Sequence, residues 1–196
     1  MKLAVVTAGL SQPSSSRLLA DRLAAATVSA LGSADVSVVE LRDIALDVTK
    51  NLLTGFPSPA LRSAISTVTG ADGLIAVTPV FTAGYSGLFK SFFDVLDTDS
   101  LAGKPVLLGA TGGTERHSLV LDYQLRPLFG YLRADPVATG VYAASSDWGS
   151  GEASGALQRR IERAGAELAS LVSGRTAAPA EAPFIPFDQL LADVTT

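Results

Sequence analysis

Residues 71–97, ADGLIAVTPVFTAGYSGLFKSFFDVLD, constrain the fold of this chain more than any other stretch. The run 73–78 is apolar, too short for a helix and without polar alternation, which predicts a strand buried on both faces, as in a parallel sheet. Pro79 is expected to close that strand. The following VFTAGYSG is small, polar or aromatic and carries two glycines, so it predicts a loop. From Gly87 the spacing of Phe89, Phe92, Phe93 and Leu96 predicts a helix to about residue 96. Strand, loop and helix in that order put the loop at the carboxyl end of a parallel strand, where open α/β sheets bind ligands. The loop offers rings (Phe81, Tyr85), hydroxyls (Thr82, Ser86) and close backbone approach at Gly84. That set suits a flat ligand, part apolar and part hydrogen-bonding.

The same order opens the chain. Residues 3–7 predict a buried strand and 8–15 (AGLSQPSS) a loop. Residues 16–30 predict a helix with Leu19, Leu23, Ala26 and Ala30 on its inner stripe and Gly32 past its end. A dinucleotide loop needs three spaced glycines, and only Gly9 is present. Ser11, Ser14, Ser15 and Ser16 instead crowd a helix N-terminus, whose free N–H groups and positive dipole end favour a dianion. Two uses of these serines stay open: capping the helix, or holding the single terminal phosphate of a mononucleotide. Arg17 reaches either that phosphate or Asp21 one turn on, and the surface pair is the preferred one.

The second strand lies within 35–41, followed by a long loop, 42–59, that is functional or faces a partner. A helix over 58–70 is capped by Ser58 with Pro59 at its first position. The helix after Gly87 carries apolar residues on more than one stripe, and the surplus predicts a homodimer contact. Residues 105–110 predict the fourth strand. Thr111, Gly112, Gly113 and Thr114 then form a loop at the same carboxyl edge, so three loops converge on one crevice. A helix over roughly 115–133 contains Pro127, which cannot bond the carbonyl of Tyr123 and so predicts a kink or local widening. His117, in its first turn, reads as structural. The fifth strand is placed at 137–143 and a polar loop at 145–151, where Trp148 covers either a ligand or a subunit contact. The last helix has the stripe Leu157, Ile161, Ala164, Leu168 and Leu171 and stops at Gly174. This alternation predicts an α/β, doubly wound parallel sheet. Residues 1–175 are expected to form that domain and 176–196 an extended, Pro-rich arm.

Composition narrows the chemistry. Of 196 residues, none is Cys and one is His, which rules out disulfides, thiolate catalysis and a multi-histidine metal site in one chain. No metal site is expected. The net charge of −4 gives no basic footprint for nucleic acid. No 18-residue apolar run predicts a membrane span, and the cytoplasm is the expected location.

Two blocks, 71–97 with its P-x-x-x-x-x-Y-S-G pattern and 110–134 (ATGGTERHSLVLDYQLRPLFGYLRA), resemble the NAD(P)H-dependent FMN reductases, a flavodoxin-like family. They are especially similar to the flavin reductases of two-component sulfonate monooxygenases. The resemblance implies the flavodoxin-like strand order 2-1-3-4-5, and hydride transfer from NADH or NADPH to FMN with no catalytic side chain. It implies FMN contacts from Ser11, Ser14 and Ser16 at the phosphate, from Pro79, Val80, Phe81, Thr82 and Tyr85 at the ring, and from Thr111, Gly112, Gly113 and Thr114 at the ring's polar edge. The family form puts Ser directly after the Gly and an Arg soon after, whereas here Leu10 follows Gly9. The L-D-Y-x-L-x-P context further implies a π-bulge at Tyr123, set at a tetramer interface, and a monooxygenase that takes the reduced flavin. An FMN-bound quinone or azo reductase, a flavodoxin-type electron carrier and a plain nucleotide-binding role are the competing readings.

Overall fold

Both faces of the central strands are apolar because both faces are covered. A computed structural model describes residues 1–149 and 152–174. Strands β1 (Lys2–Thr7), β2 (Asp35–Glu40), β3 (Gly73–Phe81), β4 (Gly84–Tyr85), β5 (Pro105–Gly112), β6 (Asp135–Pro136) and β7 (Val141–Ala144) alternate with helices α1 (Ser15–Leu31), α2 (Ala45–Thr54), α3 (Pro59–Thr69), α4 (Gly87–Asp94), α5 (Arg126–Tyr131) and α6 (Glu152–Gly174). Leu3 and Val5 of β1 pack with α1 and α6, whereas Ala4 and Val6 face α3, α4 and α5, as the two-residue period of a strand requires. The parallel order is β2-β1-β3-β5-β6, with β7 also on β5. Counting β6 and β7 as two pieces of the fifth strand gives the expected 2-1-3-4-5. Edge strand β2 is exposed over its first four residues, Val36 and Val38 included, so the alternation in its sequence is not matched by one in burial. Ser58 caps α3 through the Leu61 amide at 3.2 Å, with Pro59 at the first position, as expected.

Several expectations are corrected. Residues 42–59 are not structureless: a 3-10 turn, Leu41–Ile44, leads into α2. Only Val48 of α2 is fully buried, with Ala45 and Asn51 half-buried on the same side, while Leu46 and Leu53 lie exposed. Pro79 does not close β3. The β1 ladder stops at the Thr7–Val77 rung, so at Pro79 the strand has a ladder neighbour only in β5, and a missing N–H is tolerated there. The strand runs on to Phe81 and folds back on β4 as a hairpin. The fifth strand, placed at 137–143, is interrupted instead, because the Glu167 carboxylate takes the Thr139 amide and hydroxyl, both at 2.7 Å.

The helix placed at 115–133 comes in pieces: a 3-10 turn (Glu115–His117), a π-helical turn (Leu121–Leu125) and α5. The Arg126 amide donates to the Leu121 carbonyl, five residues back, so the widening predicted from Pro127 lies just before it, on the Tyr123 turn. Residues 145–148 form a 3-10 turn (Ser145–Trp148), and Leu171 of α6 is exposed. The arm proposed at 176–196 lies outside the described residues. Around helix α4, Phe89, Phe92, Phe93 and Leu96 are buried and Leu88 and Val95 are half-buried, so the apolar surplus is smaller than expected. Exposed apolar side chains sit elsewhere, at Leu46, Leu53 and Phe56 and at Leu119, Tyr123 and Tyr131. Among the described residues no helix is long and apolar enough to cross a membrane.

Candidate functional site

At the carboxyl edge of β1, β3 and β5 a cleft of about 310 Å³ opens. One end is the loop after β1 and the start of α1: Gly9, Leu10, Ser11, Ser14, Ser15 and Ser16. One wall is the rising end of β3, Pro79, Val80 and Phe81; the far side is Thr111, Gly112 and Gly113, with Ser145 beyond β7. Nine of the residues expected at a ligand therefore line one concavity: Ser11, Ser14, Ser16, Pro79, Val80, Phe81, Thr111, Gly112 and Gly113. Three do not. Thr82 sits at the hairpin tip; Tyr85 turns to the other side and packs on Phe89, ring centres 6.1 Å apart; Thr114 offers its carbonyl to Tyr142 at 2.6 Å. Sequence reading left Gly9, Leu10, Ser15 and Ser145 out of the ring of ligand residues. Ser145 carries no local signal, since only the fold brings the end of β7 beside β5.

The serines divide their work. Ser14 caps α1, its Oγ accepting from the Arg17 amide at 3.2 Å. Buried Ser16 shares a 2.7 Å hydrogen bond with Thr111 Oγ1, tying the start of α1 to the end of β5 across 95 positions. Ser11 donates to the Pro13 carbonyl at 3.0 Å. Ser15 lies exposed at the first helical position, where the free N–H groups and positive end of α1 meet the cleft. Arg17 takes the expected surface pair, Asp21 at 2.8 Å, and also meets Glu40 at the end of β2. The Asp21 hydrogen bond, against a burial penalty, holds the Arg17 guanidinium above its ordinary pKa. Arg42 bonds Glu40 at 2.7 Å and the Ser11 carbonyl at 3.2 Å, so it braces the loop from outside. An anion at this end of the cleft thus meets a helix terminus and hydroxyls.

His117 is exposed in its 3-10 turn. Trp148 packs toward α1 and α6 beneath the Arg22 guanidinium, 5.2 Å from its ring centre, and does not line the cleft. A larger hollow of about 630 Å³ lies behind the hairpin, between α4 and α5, lined in part by Tyr85, Phe93, Tyr123 and Tyr131. Its lining includes the first turn of α5, at Pro127 and Leu128, but that turn continues from the π-helical one and is not a free helix start. The three-loop cleft pairs an end suited to an anion with an apolar wall and a glycine loop, a set of groups that fits a mononucleotide with a flat ring.

Sheet order and cleft together define a flavodoxin-like mononucleotide-binding protein. The model of the NADPH-dependent FMN reductase family matches residues 1–149. The chain belongs to that family, and is by that membership an oxidoreductase acting on FMN with a reduced nicotinamide nucleotide. A curated relative, the FMN reductase (NADPH) of Pseudomonas aeruginosa, is 39% identical over 176 residues, covering 89% of this chain and 94% of that protein. Among solved structures, an oxidoreductase from Corynebacterium diphtheriae superposes with a TM-score of 0.86 at 46% identity, covering 89% of this chain and 98% of that one. The apo form of the NADH:FMN oxidoreductase EmoB superposes at 0.74 with 30% identity, covering 91% of each chain.

Proposed function

We propose that this chain oxidises NADH or NADPH with FMN as the acceptor and releases the reduced flavin to a partner monooxygenase. The observation that carries the reading is the cleft, with a helix N-terminus and serines at one end and Pro79, Val80 and Phe81 beside a glycine loop at the other. FMN bound in the cleft would supply the redox chemistry, as acceptor of a hydride from the nicotinamide with a proton drawn from water. The protein's part is alignment. Ser15, Ser16 and the α1 terminus hold the phosphate; the end of β3 and the loop at 111–113 orient the ring; nearly all of the advantage is positional. Release is supported by the openness of the wall, where Phe81 is 44% exposed.

NAD(P)H oxidation followed at the nicotinamide absorbance should require added FMN, and an FMN-independent or absent rate would refute the assignment. Retention of FMN through gel filtration would favour a flavin-bound reductase over a supplier of free reduced flavin.

The chain also self-associates in this reading, through the exposed side chains Leu119, Tyr123 and Tyr131 around the π-helical turn. Light scattering at micromolar concentration should give a multiple of 20.1 kDa. A single species at the chain mass would overturn that part.

A further inference from the structure

We infer that Gln124 is a positioning residue: from the π-helical turn it holds the β3–β4 hairpin in a backbone conformation that the hairpin's own residues disfavour, and so shapes the cleft wall. The inference rests on the FMN reading for its effect on flavin, but not for its effect on the hairpin.

The hairpin is short. Val80 pairs with Tyr85 and Phe81 with Gly84, leaving Thr82 and Ala83 as a two-residue turn. Both have positive φ, 47° for Thr82 and 67° for Ala83. Positive φ at both central positions is what a tight hairpin requires, and Asn-Gly or Gly-Gly normally supplies it. Thr and Ala each meet a steric penalty there, and a β-branched residue in that region is rare. Such backbone persists only where the surroundings over-determine it.

Gln124 is the contact that does so. Its Nε2 donates to the Ala83 carbonyl at 3.1 Å. Its amide lies against the hairpin tip: a Cβ at position 84 would stand 2.7 Å from Oε1, so a larger residue there would push the Gln124 side chain aside. Gln124 belongs to the turn Leu121–Leu125, whose widening precedes Pro127. The base of the hairpin is fastened separately, by the Ser86 amide on Thr78 Oγ1 at 3.0 Å. Gln124 therefore governs the tip, and the tip continues directly into Phe81 of the cleft wall.

Gln124→Ala, and Gln124→Glu, which keeps the shape but lacks the N–H donor, are compared with wild type. Without FMN, amide hydrogen exchange over residues 82–85 should rise about tenfold in both variants, the loss of one bond's worth of local protection. With FMN, the fluorescence-titrated dissociation constant and the KM for FMN should each rise about tenfold, while the KM for the nicotinamide nucleotide moves far less. Ala83→Gly relieves the strain at its source, so adding it to Gln124→Ala should restore both exchange and FMN affinity. Exchange unchanged in Gln124→Glu, or no rescue by Ala83→Gly, would overturn the inference. Faster exchange in a protein whose wild type fails to bind FMN would instead support the hairpin brace and sink the FMN reading.

Discussion

Gly112→Ala is expected to weaken FMN binding by about a hundredfold. A Cβ at 112 would stand 2.1 Å from the Tyr142 hydroxyl and 3.2 Å from its Cζ. The phenol cannot retreat easily: Tyr142 is buried on β7, and its hydroxyl donates to the Thr114 carbonyl at 2.6 Å, so the ring passes directly under the loop it supports. Burial, with the nearby carboxylates of Asp147 and Glu115, pushes the Tyr142 pKa up from its ordinary value, so the phenol stays a neutral donor through the physiological range. An added methyl must move the loop or the ring. Overpacking costs about 1–3 kcal/mol and the lost hydrogen bond about 0.5–1.5 kcal/mol. The loop at 111–113 is a wall of the cleft, so a loop displaced to relieve the clash must be pushed back for FMN to bind, and each 1.4 kcal/mol or so of that work is a factor of ten in affinity. The double variant Gly112→Ala/Tyr142→Phe removes the closest atom and should recover most of the affinity. A Gly112→Ala protein that titrates with FMN like wild type would show that the loop adapts freely.

What the sequence disclosed, and what it did not, follows the range of the forces involved. The runs at 3–7, 73–78 and 105–110 are apolar because helices cover both faces, and an uninterrupted apolar run is a local mark of that burial. Three loops at one edge then follow from strand direction alone. The misses depend on distant partners. Thr139 leaves its strand because Glu167, 28 positions on, takes its amide. The hairpin tip at Thr82–Ala83 lacks Asn-Gly because Gln124, about forty positions away, supplies the restraint. Helix α2 was hidden by its neighbours: Gly55, Pro57 and Pro59 just beyond it read as loop punctuation for the whole stretch. The π-helical turn was half legible, since Pro127 marks a disturbance and the resemblance placed it at Tyr123. At the cleft, serines beside a helix start were readable, but their division into a cap (Ser14) and a tie to Thr111 (Ser16) was not.

The largest loss of stability is expected from Phe93→Ala. Phe93 is 2% exposed and touches three other rings, with centres 4.7 Å from Phe89, 5.4 Å from Phe92 and 4.9 Å from Phe129. It is the centre of the aromatic cluster that joins α4 to α5. Truncating a buried Phe costs about 3–5 kcal/mol through lost transfer and a residual cavity. The tilted and edge-on ring pairs add roughly 0.5–1.5 kcal/mol each beyond buried area, which puts this site at the upper end. For a chain of this size that is a fall of about 10–20 °C in Tm, read by circular dichroism without FMN. Phe93→Leu, which keeps more of the volume, should lose much less, and equal losses would mean that ring geometry rather than filling dominates. The two substitutions should also separate binding from stability. The hairpin base is held by Thr78 and Ser86, and the glycine loop by Tyr142, none of which needs Phe93. Phe93→Ala should therefore destabilise the whole domain while its folded fraction binds FMN nearly as wild type, the reverse of Gly112→Ala. A folded Phe93→Ala protein with a hundredfold weaker FMN affinity would mean that the aromatic cluster, and not the loops alone, sets the shape of the cleft.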